Sequence, residues 1–345
     1  MSLFIGVDVG GTKVLAAAVS STGRLRQVAR RTTPGRLVDS RLVEDALTEA
    51  VMEVAGGRRI DGVGIAAAGF VDAAGERVMF APHLPWRGEE VRARLMERWG
   101  TTVVLDNDAN CAARAESTHG AARGAVDAIV VTLGTGIGGA VVLDGRVHRG
   151  ANGMAGEFGH MQVVPDGLAC QCGGHGCWEQ YCSGNALVRF AQARIGREPT
   201  LMEEMCEGDP ARLTGPMVTG AAEEGDLVAH AAFLSVGDWL GVGLANLVAA
   251  FDPDVVVVGG GVSAAGDRLL DPARTALSRS LVGAAHRVVP PLQRAALGPE
   301  AGAIGAADLA RLVVKGTGRR HSVTRSAGTR ARARRRAARG TTPRP

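Results

Sequence analysis

Apolar residues gather in short runs that stop at glycine, and the runs alternate with stretches of helical period. LFIGVDV at 3–9 ends in Gly10-Gly11, and VLAAAVS then runs to Ser-Thr-Gly at 21–23, which predicts a β-hairpin. Ser40–Ala55 places its apolar residues at helical spacing, and GVGIAAAGF (62–70) reads as a buried strand entering a glycine turn. TTVVLDND (101–108) predicts a strand feeding a helix that begins near Ala109, and DAIVVTLGTGIGGAVVLDG (127–145) a second, glycine-interrupted hairpin. DVVVVGGGVSAAG (254–266) predicts a strand that stops at three glycines and enters a helix, and GPEAGAIGAADLARLVV (298–314) a closing helix. Helix alternating with strand implies α/β, and the glycine hairpins at 8–13 and 132–139 suggest a duplicated domain. No repeat of about 20 to 50 residues stands out.

A chain of 345 residues, 46% hydrophobic, can bury a large core, and its length favours two domains. Its 49 glycines against 3% aromatics suit close backbone approaches better than stacking platforms for single-stranded nucleic acid. Asp8 and Lys13 interrupt the apolar N-terminal stretch, so it forms neither a signal-peptide core nor a membrane span of about 20 apolar residues. A cytoplasmic location is expected. Of six cysteines, Cys170, Cys172 and Cys177 crowd into eight residues, which favours a metal site over disulfides; Cys111, Cys182 and Cys206 show no such pattern. The formal charge of +4 conceals an arginine-rich segment from Lys315 to Pro345 without Asp or Glu, and the rest would be acidic. The apolar pattern vanishes there, so 317–345 is expected to be a disordered basic tail. Polyanion binding by counterion release is the alternative, but the tail lacks interleaved aromatics, which argues against nucleic acid.

Asp8-x-Gly10-Gly11-Thr12-Lys13 puts two glycines at a hairpin tip, where backbone amides can approach phosphate oxygens while Asp8 orients magnesium or its water. An ordinary Gly-Gly turn explains the same residues. Thr132, Gly134, Thr135, Gly136 and Gly138 form a second such loop, so a triphosphate could be clamped from both sides. Gly259, Gly260 and Gly261 offer a third, though strand-to-helix packing would also require glycine. Asp108 follows a strand, where a carboxylate can reach a cleft and accept a proton from an attacking hydroxyl, with Asn107 hydrogen-bonding neighbouring hydroxyls. The plainer reading of Asp106, Asn107 and Asp108 is a helix cap.

DVGGTK (8–13), GIAAAGFVD (64–72), DNDANCAA (106–113), TLGTGIGG (132–139), GEFGH (156–160) and CQCGGHGCWEQ (170–180) together closely resemble the bacterial glucokinases of the ROK family, from residue 3 to about 314. The resemblance implies a two-domain actin-like ATPase (ribonuclease H-like) fold with a cleft, a small domain of 1–109 plus 300–316 and a large one of 110–299 carrying a zinc loop. It implies phosphoryl transfer from Mg-ATP to the 6-hydroxyl of glucose, the first step of glycolysis, with Asp108 as general base. Asn107, Asp108, Glu157, His160 and Glu179 match the family's sugar-binding set, and carboxylates suit paired bonds to vicinal hydroxyls. His160, Cys170, Cys172 and Cys177 number the four donors of a closed, structural zinc site. His160 could bind zinc through one nitrogen and a hydroxyl through the other. Cys182 is a weaker candidate. A dimer or tetramer is expected. Fructose, mannose or an N-acetylhexosamine could replace glucose, although APHLPWRG (81–88) looks glucokinase-like, and polyphosphate could replace ATP. The family also contains sugar-sensing regulators with a helix-turn-helix module ahead of the sugar domain; a first strand at residue 3 is expected to leave no room for one.

Overall fold

The computed structural model describes residues 2–316. The expected basic tail, 317–345, lies outside them.

The first half is β1 (Phe4–Val9), β2 (Lys13–Val19), β3 (Leu25–Thr32), α1 (Ser40–Ala55), β4 (Gly62–Ala67), β5 (Phe70–Val71), β6 (Val78–Phe80), α2 (Val91–Trp99) and β7 (Val103–Asn107). Its sheet runs β3-β2-β1-β4-β7, antiparallel across the first three strands and parallel from β1 through β4 to β7. After α3 (Asp108–His119) come β8 (Ala128–Leu133), β9 (Ile137–Leu143), β10 (Arg146–His148), α4 (Gly184–Gln192), α5 (Leu201–Met205), α6 (Gly215–Glu223), α7 (Leu227–Phe251), β11 (Val255–Gly259), α8 (Asp267–Ser280) and β12 (Leu292–Arg294). This second sheet runs β10-β9-β8-β11-β12 with the same senses of pairing. The duplication expected from two glycine hairpins is therefore present as a repeated strand order, the α/β architecture of the actin-like ATPase fold.

Strands parallel on both sides are buried throughout, as every residue of β4 is, whereas the edge strand β3 buries only Ala29 and exposes Arg26 and Arg30. Helix α1 has the bounds its period predicts, since Asp39 caps its N-terminus and Gly56, in the left-handed region, ends it. The final helix, α9 (residues 301–316), returns from the second half to the first sheet. There Gly6 and Gly64, paired across β1 and β4, let its backbone lie on the strands, because a Cβ at either would collide with the carbonyl of Ala303 or Ala306. Gly305 likewise admits the backbone of α3 at Cys111. Glu116 of α3, fully buried, accepts hydrogen bonds from the amides of Ala121 (2.7 Å), Ala296 (3.1 Å) and Leu297 (2.9 Å), which pins α3 to the segment leading into α9.

The largest core cluster lies in the second half, around α7. This helix is long and apolar enough to cross a membrane by length and composition, and 56% of its most apolar window is buried against its neighbours. Gly237 and Gly241 admit α8, and Gly243 admits the Trp178 indole.

Candidate functional site

Candidate residues sit at the carboxyl ends of the parallel strands of both sheets. Asp8 lies near the end of β1 and Asn107 ends β7, while Thr132 and Gly259 sit side by side at the ends of β8 and β11. Asn107 is the N-cap of α3, its side chain accepting from the Asn110 amide (3.1 Å), so the helix-cap reading of DND holds for that residue. Its amide group also donates to the Gly69 carbonyl (3.1 Å) and to Asp108 Oδ1 (3.0 Å), which orients the acid that follows. Burial raises the Asp108 carboxyl above its usual range, against the hydrogen bonds from the Ala109 and Asp108 amides and from Asn107.

Four carboxylates converge here. Asp8 is pushed up to about 7, first by burial and then by Asp108, with Lys13 opposing. Glu157 is also pushed up to about 7, by burial, then by Asp108 and Glu179. Such clustering concentrates hydrogen-bond acceptors for hydroxyls and favours a bound cation. Asp106, by contrast, is fully engaged: it accepts from the Asn107 amide (3.0 Å), Asn110 Nδ2 (3.0 Å) and the Arg149 guanidinium, whose Nε lies at 3.0 Å. Arg149 follows β10, so this ion pair joins the two halves two residues before Asp108; nothing local in the sequence marks it.

The sugar-side residues are held by what flanks them. Gly156, with φ of 102°, and Gly159 let the Glu157–His160 turn press on β9, and buried Phe158 anchors it. Trp178, also buried, donates from Nε1 to the Trp239 carbonyl (2.7 Å) and fixes Glu179. Glu179 spans two features: Oε1 accepts from the Cys170 thiol (3.2 Å), and Oε2 faces the second glycine loop at the Ile137 amide (3.5 Å).

His160, Cys170, Cys172 and Cys177 come together as expected, each offering a donor atom within 4.8 Å of the others, while buried Cys182 stands apart. Cys172 and Cys177 sulfurs lie 3.6 Å apart, and Cys170 Sγ lies 3.7 Å from His160 Nδ1. Ligand distances of about 2.3 Å for sulfur and 2.0 Å for nitrogen give a zinc tetrahedron edges of about 3.5 to 3.8 Å, which these two pairs match and to which the others, within 4.8 Å, lie close, so the donor set fits.

The three glycine loops differ in what their glycines do. Gly11 admits His83 of the 81–88 segment, Gly136 admits the Glu179 carboxylate, Gly138 lies against Thr132, and Gly260, with φ of 82°, packs on Leu133. A Cβ at Gly10, Gly134 or Gly261 would meet nothing within 4 Å, and none of the three has a positive φ. The fold itself does not demand glycine at those positions. Thr12 and Thr135 are exposed on the same loops, as is Lys13. The first loop is closed by Gly10 donating to the Lys13 carbonyl (3.0 Å) and braced by Thr33, whose hydroxyl donates to the Gly10 carbonyl (2.7 Å), a residue the motif does not reveal.

Known proteins resemble this chain along most of its length. A glucokinase of Streptomyces coelicolor is 43% identical over 90% of this chain and 98% of its own. Among solved structures, a ROK family glucokinase from Streptomyces griseus in complex with glucose and AMPPNP is 43% identical, with a TM-score of 0.82 over 90% of this chain and all of that one. A ROK hexokinase from Thermus thermophilus is 37% identical, with a TM-score of 0.73 over 91% of this chain and 99% of its own. The ROK family model matches residues 4–312, and the chain belongs to the ROK family.

Proposed function

We propose that this protein is an ATP-dependent glucokinase, transferring the γ-phosphoryl group of Mg-ATP to the 6-hydroxyl of glucose. The observation that carries the reading is the convergence of Asp108 with Asp8, Glu157 and Glu179 at the mouths of two glycine loops, in a chain 43% identical to glucokinases. Asp108 accepts the 6-hydroxyl proton as the oxygen attacks the γ-phosphorus in line. Asn107, Glu157, His160 and Glu179 bind the remaining hydroxyls and fix the attacking group. Gly10, Gly11, Thr12, Lys13, Thr132, Gly134, Thr135, Gly136 and Gly138 line the phosphates, and Asp8 orients the magnesium ion that accompanies them. Gly259, Gly260 and Gly261 face the nucleoside. The open surroundings of Gly10, Gly134 and Gly261 support this assignment, since a ligand's approach accounts for glycine where the fold does not.

His160, Cys170, Cys172 and Cys177 would hold zinc, whose four protein donors leave it a structural charge centre rather than a catalytic one. The loop so tethered positions Glu179. We take the cleft to separate a unit of 1–109 plus 300–316 from one of 110–299, closure excluding water. The enzyme would work in the cytoplasm at the entry to glycolysis, as a dimer or tetramer. The regulator reading lacks a comparable motivation, since a sensor has no need of a proton acceptor at Asp108.

A coupled assay with Mg-ATP and a panel of glucose, fructose, mannose and N-acetylhexosamines, run beside Asp108→Ala, tests the proposal. Turnover should favour glucose and fall by roughly 10²- to 10⁴-fold in the variant, with sugar and nucleotide binding retained. No turnover with any sugar, or near-normal turnover in Asp108→Ala, rejects it.

A further inference from the structure

A second cavity, of about 530 Å³, lies at the ends of α3 and α9 remote from Asp108 and Asp8. Ser21 of the β2–β3 turn, Arg114, Thr118 and His119 of α3, and Arg311 and Lys315 of α9 line it. Its one carboxylate, Asp308, is already taken by His119 Nε2 (2.5 Å) and by Arg311. Arg311 is further satisfied by the carbonyls of Val19 (2.7 Å) and Ser20 (3.0 Å). Arg114 is different: its guanidinium makes no hydrogen bond or ion pair among the described residues, and although Asp106 and Asp308 attract it from a distance, burial outweighs them and pulls its pKa below the ordinary value. A desolvated, unpaired guanidinium is costly unless an anion meets it.

The simpler explanation of these cations is that they face the negative ends of two helix dipoles. That effect fades beyond the last turn, which accounts for Lys315 but not for Arg114, five residues before the end of α3. In sequence, residues 317–345 contain ten arginines and no acid, whereas residues 1–316 carry a net −6, so the cations of this pocket stand in an otherwise acidic body.

We propose that this pocket binds a phosphate-class anion, either inorganic phosphate or a small phosphate monoester, with Arg114 and Lys315 as its charged contacts and Ser21 as a hydroxyl contact. The ligand would bridge two helices whose opposite ends carry Asp108 and, through Gly302, face Asp8.

Isothermal titration of the full chain, with glucose and Mg-ADP saturating the cleft, tests the site with inorganic phosphate and separately with glycerol 3-phosphate. One anion should bind per chain, more tightly at low salt, and the preferred probe identifies the source. Arg114→Gln and Lys315→Gln should each weaken binding roughly tenfold or more, the usual effect of removing a charged hydrogen-bond donor. No saturable binding to the unaltered chain, or unchanged affinity in a folded Arg114→Gln protein, overturns the assignment. Should Arg114→Gln fail to fold, the exposed Lys315→Gln decides by the same criterion.

Discussion

Asp8 shows how far a single residue's environment can be turned into a measurement. Its pKa rises from 3.8 to about 7 on folding, so the fold favours the protonated carboxyl. The resulting stabilisation is fully present below the unfolded value, fades as pH climbs toward the folded one, and is absent above it. Asp8→Asn keeps the uncharged form at every pH. The denaturation midpoint of the unaltered protein, measured without ligands, should therefore fall relative to that of Asp8→Asn between pH 5 and pH 7.5; a difference that stays flat contradicts the assignment. Asp8 and Asp108 stand out because each sits in a short motif whose chemistry is local, whereas Glu157 and Glu179 stand out only through the family resemblance of theirs. Arg149, Glu116 and Thr33 do not, because what they do depends on partners far along the chain, 43 residues away for the pair of Arg149 with Asp106.

Among the elements, those with a clear period or a glycine stop were legible and a helix apolar on nearly every side was not. Helix α1 has one apolar face and two caps, and its bounds follow from the pattern. Helix α7 is apolar on nearly every side, so no face stands out in its sequence. Packing is what defines α7. A Cβ at Gly241 would lie 2.5 Å from Ala276 Cβ and collide with the Ala273 carbonyl, so Gly241→Val should force α7 and α8 apart. A loss of about 1–3 kcal/mol in urea unfolding is expected. The cysteine loop is the complementary case, an element with little core of its own. Chelation should release metal and raise the glucose KM roughly tenfold or more, by freeing Glu179, while the KM for ATP changes little. Metal analysis alongside steady-state kinetics checks both.

Across the whole molecule, the repeated strand order was foreshadowed by the two glycine hairpins, but the way the halves are tied together was not. Arg149→Met leaves Asp106, 4% exposed at its side chain, without its cation on β7, two residues before Asp108. Removing one partner of a largely buried pair is costly, and a loss of about 1–3 kcal/mol is expected in denaturant unfolding, together with a lower kcat. Arg149→Lys should recover part of the stability, since charge returns without the two-pronged geometry. Helix α9 has a further consequence, which concerns synthesis rather than the finished protein. The glycine-floored face of β1 and β4 belongs to the first hundred or so residues, yet its cover is made of 301–316. A ribosome adding about 5–20 residues per second needs on the order of 10–40 s to travel from β7 to that cover. Throughout that interval the nascent first half carries an open apolar face, so the enzyme's yield in a cell depends on how that face is shielded before the last helix arrives.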